Sequence, residues 1–295
     1  MSLVATLIAN PQTKALSDTL IDSAKNALKA NSTNWLSMNE ACDIILPENL
    51  SDADARATLE KVIGELPIDF ANQNQQERKK KVLIADMDST MIDQECIDEL
   101  AAEVGVKERV SQITAKAMNG EIEFDSALRE RVALLKGLPE GIYQQVIDNR
   151  ITLAKGGKQL VATMKANGGY CALVSGGFTL FTRPIGEEIG FDENRANVLL
   201  TSDGKLDGLV QEPILGAQAK VEALNDIANT KGLSAADFIA VGDGANDLPM
   251  LKLAGTGVAL HAKPAVGAQS KIKINHGDLT SLLYLQGYTK SEFAL

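Results

Sequence analysis

The 295-residue sequence predicts an α/β protein built on a doubly wound parallel sheet, and three observations carry that expectation. First, Val82 to Ala85, Tyr170 to Val174, Phe238 to Val241 and Thr256 to Leu260 are short apolar runs without alternation. Strands buried on both faces of a parallel sheet read this way. Second, Gly157 to Ala166, Ala217 to Ala228 and Leu248 to Leu253 have helical patterns, so the rhythm is that of βαβ units in a Rossmann-like sheet. Third, about 85 residues separate the first two of these strands, far more than one crossover helix, and Glu95 to Arg150 is helical in pattern. A helical cap over about residues 95–152 is therefore expected after the first core strand.

Ahead of this core the first 72 or so residues form their own pattern. It reads as strand Val4 to Ile8, helix Lys14 to Ala30, strands near Trp35 and at Cys42 to Leu46, helix Asp52 to Leu66 and strand Ile68 to Phe70. That order is a βαββαβ sandwich. The polar stretch Asn72 to Lys81, with the basic run Arg78 to Lys81, reads as a solvated linker. The expected domains are thus residues 1–75 and 76–295. Within the second, Asn197 to Val210 reads as an antiparallel hairpin turning at Ser202 to Lys205.

Composition narrows the function classes. A formal net charge of −10 argues against a broad nucleic-acid interaction, which needs concentrated Lys and Arg. No apolar stretch approaches the roughly 18 to 20 residues of a membrane span, and the amino terminus lacks the charged region and cleavage site of a signal peptide. The expected location is the cytoplasm, with no membrane partner. Cys42, Cys96 and Cys171 form no CxxC pair and read as free thiols. With only His261 and His276 available, zinc is not expected, and acid–base chemistry must fall to carboxylates or lysine. Lys155-Gly-Gly-Lys158 lacks phosphate-loop spacing and reads as a helix start.

Polar residues stand where the apolar strands stop. Val82 to Ala85 runs into Asp86-Met87-Asp88-Ser89-Thr90, Cys171 to Val174 into Ser175-Gly176-Gly177, and Phe238 to Gly242 into Asp243-Gly244-Ala245-Asn246-Asp247. Ligands of open parallel sheets bind outside the carboxyl ends of the strands. Asp86, Asp88, Asp243 and Asp247 would converge there, and four carboxylates cannot all stay ionised without a cation. A hard divalent ion with oxygen ligands, magnesium, is the expected neutraliser.

In order along residues 82 to 247, these segments resemble the signature motifs of the haloacid dehalogenase superfamily, whose phosphatases open with DxDx(T/V). Asp86 to Thr90 is similar to the first motif, Ser175 to the second, Lys220 to the third and Gly242 to Asp247 to the fourth. Asp86, at the strand tip, is the candidate nucleophile for an acyl phosphate that water then cleaves. Asp88, two residues on, can protonate the leaving alkoxide and later deprotonate water. Ser175 and the amides of Gly176 and Gly177 can donate hydrogen bonds to phosphoryl oxygens, glycine allowing close approach. Lys220, assigned through the resemblance, would add positive charge beside Asp86. Asp86, Asp88 and Asp243 are the candidate magnesium ligands. Asp247 is read as orienting Lys220 or metal-bound water, and Asn246 as a hydrogen-bonding partner of substrate.

Within that superfamily the resemblance extends to the phosphoserine phosphatases, the enzymes of the last step of L-serine biosynthesis. Asp86 to Ala101, Met118 to Gly137, Val174 to Phe178 and Gly242 to Leu251 carry it. It implies that O-phospho-L-serine is the substrate, that Glu95 binds its ammonium, that Arg131 binds its carboxylate, and that Met118 and Phe124 shape the cap wall. A guanidinium clamping a carboxylate bidentately makes chemical sense. The first 72 residues resemble ACT-like amino-acid-binding domains but lack the glycine-rich ligand loop, which leaves homodimerisation or structural support as roles. Two rival functions use the same residues: phosphoryl transfer to another alcohol, and amino-acid binding by a decayed core. Intact Asp86, Asp88, Lys220 and Asp243 argue against decay.

Overall fold

The computed structural model describes residues 3–118 and 121–295, without the side chain of Met118. The expected contribution of Met118 to the cap wall therefore lies outside the described residues. The chain opens with β1 (Leu3–Ala9), α1 (Asp18–Leu28), β2 (Ser32–Ser37), β3 (Ala41–Ile45), α2 (Asp52–Ile63) and β4 (Ile68–Asn74). The strands pair antiparallel in the order β2-β3-β1-β4, the split βαβ arrangement of a βαββαβ chain. Ser17 and Ser51 start the two helices, their hydroxyls accepting the amides of Leu20 and Asp54. Ile21, Ala24 and Leu28 of α1 and Ala55, Leu59 and Ile63 of α2 sit at helical spacing and pack on Leu7 and Ile44 of the sheet.

The reading of Asn72 to Lys81 as a solvated linker needs correction. Residues 72–74 belong to β4. The Arg78 guanidinium donates from Nη1 and Nη2 to the two oxygens of Asp43 at 2.9 and 2.7 Å. Lys80 Nζ donates to the Ala236 carbonyl at 2.8 Å, and Lys81 Nζ lies 3.0 Å from Asp237. Asp43 is 2% exposed, and a carboxylate so buried needs a charged partner. That need arises 35 residues away in sequence, so local polarity gave no sign of it.

Further contacts join the first unit to the end of the chain. Buried Asp69 on β4 accepts the amides of Asn275, His276 and Gly277 at 2.8, 2.9 and 2.8 Å. The Tyr284 hydroxyl donates to Glu40 at 2.7 Å.

The second unit begins with β5 (Val82–Ala85) and continues through four helices, α3 (Cys96–Glu103), α4 (Lys107–Met118), α5 (Phe124–Ala133) and α6 (Ile142–Arg150). The chain returns through α7 (Gly157–Ala166), β6 (Tyr170–Phe178), α8 (Thr179–Ile189) and β7 (Glu193–Asn197), then makes the hairpin β8 (Leu199–Ser202) and β9 (Lys205–Val210). It ends with α9 (Ala217–Lys231), β10 (Phe238–Gly242), α10 (Leu248–Leu253), β11 (Thr256–Leu260), α11 (Pro264–Gly267), β12 (Ile272–Ile274) and α12 (Ser281–Leu285). Six strands form one parallel sheet in the order β12-β11-β10-β5-β6-β7. The order reverses between β5 and β10, and a doubly wound sheet opens a crevice at such a switch point.

Alternation-free apolar runs found the four central strands but neither edge strand. β7 reads Glu-Asn-Arg-Ala-Asn and β12 has three residues; edges are kept polar or short. Strand β6 runs on through Ser175, Gly176 and Gly177 to Phe178, with its pairing to β7 shifting register between Val174 and Phe178. Helices α3 to α6 form the cap. Its two connections to the core lie side by side: Ile92 bridges Leu153, and the Ala154 amide donates to the Met91 carbonyl at 2.9 Å. The hairpin supports the cap from below, since the Gly137 amide donates to the Leu206 carbonyl and the Leu206 amide to the Leu138 carbonyl, each at 2.8 Å. Among the described residues no helix is long and apolar enough to cross a membrane.

Candidate active site

The carboxyl ends of β5, β6 and β10 meet under the cap and line one pocket of about 180 Å³. Asp86, Asp88, Ser175, Gly176, Gly177, Asp243 and Asn246 come from the core; Glu95, Thr114, Phe124 and Arg131 come from the cap. Every residue expected to bind substrate lines this pocket except Lys220, which lies beneath its floor.

Lys220 on α9 is 1% exposed, and its Nζ lies 2.8 Å from Asp86 Oδ1 and 2.5 Å from Asp247 Oδ1. Burial alone would push the ammonium down, but the Asp247 and Asp86 carboxylates override it and hold the group above its ordinary range. Asp86 Oδ1 also accepts the Met87 amide at 2.8 Å. Burial and the neighbouring Asp247 carboxylate raise the Asp86 carboxyl well above the usual range, against the pull of Lys220. Asp247 uses both oxygens, the second accepting the Gly244 amide at 2.9 Å. It thus contacts both Lys220 and the loop that carries Asp243.

Asp88 is held from both sides of the pocket. Its Oδ1 accepts the amide of Cys96, the first residue of α3, at 2.9 Å, and its Oδ2 accepts the Ser175 hydroxyl at 3.4 Å. Burial and the Glu95 carboxylate push Asp88 up to about 6, a value suited to a group that gives and takes a proton near neutrality. Gly177 is required beside it, because a Cβ there would stand 2.7 Å from Asp88 Oδ2. In the loop after β5, Ser89 has a left-handed φ of 53°, and its Oγ donates to Glu95 Oε1, at the start of the cap, at 2.7 Å. Arg131, 8% exposed, donates from Nε to the Ala127 carbonyl and from Nη1 to the Thr114 hydroxyl.

The residues fit a divalent cation. Carboxylate oxygens of Asp86, Asp243 and Asp247 lie within 4.8 Å of one another, an all-oxygen donor set suited to a hard ion. Burial and Asp247 push Asp243 up to about 7, so this cluster cannot be fully charged at neutrality without more positive charge than Lys220 supplies. The Asp88 carboxylate is not in the cluster; its oxygens face Cys96 and Ser175. Thr90, absent from the expected site, donates to Asp243 at 3.3 Å. Its place inside the Asp86 to Thr90 motif was the available signal. Ser89 carried the same signal, lying in the same motif, whereas Thr114 carried none, being a single hydroxyl in a polar helix.

A family model of haloacid dehalogenase-like hydrolases matches residues 83–252. The chain is 46% identical over 204 residues to a phosphoserine phosphatase of Haemophilus influenzae, covering 69% of this chain and 65% of that protein. It is 36% identical over 279 residues to a phosphoserine phosphatase of Saccharomyces cerevisiae, covering 92% and 90%. Among solved structures, a HAD family hydrolase from Salmonella enterica serovar Typhi superimposes with a TM-score of 0.85 at 31% identity, covering 96% of this chain and 98% of its own.

Proposed function

The chain belongs to the haloacid dehalogenase-like hydrolases, and from that premise we propose that it is a phosphoserine phosphatase, hydrolysing O-phospho-L-serine to L-serine and phosphate through a phosphoaspartate on Asp86. One observation carries the substrate: a single pocket sets Asp86 and Asp88 on its floor against Glu95 and Arg131 in its cap. A carboxylate and a guanidinium facing a phosphoryl site match the ammonium, carboxylate and phosphate of one small molecule.

In the first step an Asp86 oxygen attacks phosphorus and the bond to the serine oxygen breaks. Asp88 gives its proton to the departing alkoxide. In the second, water attacks phosphorus, Asp88 takes a proton from it, and the bond to Asp86 breaks, freeing phosphate. Lys220 and the strand-end amide of Gly176 offset charge on Asp86 and the phosphoryl oxygens, while the Gly177 amide donates to Ser175 Oγ at 2.9 Å. Magnesium, held by Asp86 and Asp243 with the Asp88 position beside them, would supply further positive charge against the phosphoryl oxygens. Asn246 hydrogen-bonds the bound phosphate ester, and the cap excludes bulk water.

The N-terminal unit, residues 1–75, is read as an ACT-like domain and a dimerisation surface. No described strand pairs with the outer edge of β2, and exposed Met38 lies beside it. Three free, buried thiols suit a reducing cytoplasm.

The test is phosphate release from O-phospho-L-serine, phosphothreonine, phosphoethanolamine and a sugar phosphate, with magnesium and with chelator. Magnesium-dependent preference for O-phospho-L-serine, lost in Asp86→Asn with an unchanged circular dichroism spectrum, is the expected result. Activity on other esters but not on this one would overturn the substrate, and undiminished Asp86→Asn turnover would overturn the nucleophile.

A further inference from the structure

Arg131 can grip a carboxylate only if its guanidinium is turned so that one edge faces the pocket and the other faces protein. A guanidinium has five N–H donors in a rigid fork. Here Nε donates to the Ala127 carbonyl at 3.2 Å, within its own helix α5. Nη1 donates to Thr114 Oγ1 on α4 at 3.1 Å. Two donors are thereby committed to protein, and no described residue takes the remaining ones on Nη1 and Nη2. Three donors remain, one on Nη1 and two on Nη2, and a bidentate carboxylate grip takes one from each nitrogen.

Thr114 is built to accept. Its own proton is donated to the Val110 carbonyl at 3.1 Å, one turn back on α4, so the lone pairs of the hydroxyl are left for Arg131. Both residues line the pocket. The neighbouring charge keeps the guanidinium in place: burial lowers the pKa of Arg131, and the Glu95 and Asp98 carboxylates counteract it. Asp98 is itself fixed by the Ser111 hydroxyl of α4 at 3.2 Å, so α3, α4 and α5 share one polar network around this side chain.

We propose that Thr114 is a positioning residue for substrate selection, holding Arg131 so that its open edge meets the substrate carboxylate. The inference rests on the phosphoserine reading above and adds a residue to it. Thr114→Val keeps the shape and removes the acceptor, Thr114→Ser restores it, and phosphoethanolamine is the comparison substrate because it lacks the carboxylate. The readout is the ratio of kcat/KM for O-phospho-L-serine to that for phosphoethanolamine.

Thr114→Val is expected to lower that ratio about ten-fold, chiefly through a higher KM for O-phospho-L-serine, the size of one hydrogen bond to a charged group. Thr114→Ser should return it to within about three-fold of the wild-type value. A ratio unchanged in Thr114→Val, or equal losses on both substrates, would overturn the positioning role. Arg131→Ala, measured alongside, separates the two readings. If it leaves the ratio intact, the carboxylate assignment itself fails; if it collapses the ratio while Thr114→Val does not, only the role of Thr114 fails.

Discussion

Lys220 Nζ lies 2.8 Å from Oδ1 of Asp86, inside a floor where the lysine is 1% exposed. The same nitrogen contacts Asp247, so one ammonium stands between two buried carboxylates. Removing one partner of a buried ionic group costs far more than the net worth of the pair, because the remaining charge is stranded. Lys220→Met should therefore lower the unfolding free energy by about 3–5 kcal/mol in chelator, as well as abolish turnover. Urea denaturation followed by circular dichroism measures it. A variant as stable as wild type would show that Asp86 and Asp247 do not depend on Lys220 for their charge.

Asp243 gives a pH dependence with a defined sign. Burial and Asp247 raise its folded pKa to about 7, above the roughly 3.9 of an unfolded aspartate. Between those values the native state binds more protons than the unfolded chain, so stability falls as pH rises. The contribution is fully present below about pH 4 and is lost by about pH 7. In chelator, wild type should lose stability relative to Asp243→Asn across that window, and saturating magnesium should remove the decline by favouring the ionised form. Urea midpoints for both proteins from pH 4 to pH 7.5 would decide it. Parallel curves would mean that Asp243 does not hold its proton as this environment requires.

At the junction of the two units, Asp69 accepts three consecutive amides, those of Asn275, His276 and Gly277. Asp69→Ala leaves three buried or half-buried N–H groups with no acceptor, each worth about 1–3 kcal/mol and not fully additive. The expected loss is about 3 kcal/mol of stability, with faster proteolytic cleavage across residues 75–81 and turnover retained, since Asp69 touches nothing in the pocket. Limited proteolysis beside a phosphate-release assay checks both halves. Equal cleavage rates would show that the latch is redundant with the Arg78 to Asp43 and Tyr284 to Glu40 contacts.

The floor of the site was legible because a strand buried on both faces tolerates only apolar residues, so Asp86 and Asp243 mark where their strands leave the core. The cap was legible as a helical insertion too long for a crossover. Lys220 was not readable from physics alone: a lysine on a helix is ordinarily exposed, and only the resemblance to a motif placed it. Thr114 and Asp43 were out of reach for a different reason. Their partners, Arg131 and Arg78, lie 17 and 35 residues away, and no local pattern records a hydrogen bond at that range. The edge strands β7 and β12 failed because an edge is selected for polarity and shortness, the opposite of the signal that found the centre of the sheet.

Gly177 offers a steric test of the Asp88 assignment. An alanine Cβ at this position would lie 2.7 Å from Asp88 Oδ2 and 3.1 Å from Ser175 Oγ, closer than real contacts allow at the first of these. The carboxylate cannot retreat freely, because its other oxygen is tied to the Cys96 amide at the start of α3. Gly177→Ala should therefore shift Asp88 from the line of proton transfer, and misplacement on this scale costs about 100-fold in rate. The loss should appear in kcat/KM, which reports the first transfer alone, and it should be smaller for an ester with a good leaving group, such as p-nitrophenyl phosphate, whose departure needs little protonation. Steady-state kinetics on both substrates provide the check. Equal losses on the two esters would remove leaving-group protonation as the role of Asp88, while no loss on either would show that the site relaxes around the added methyl.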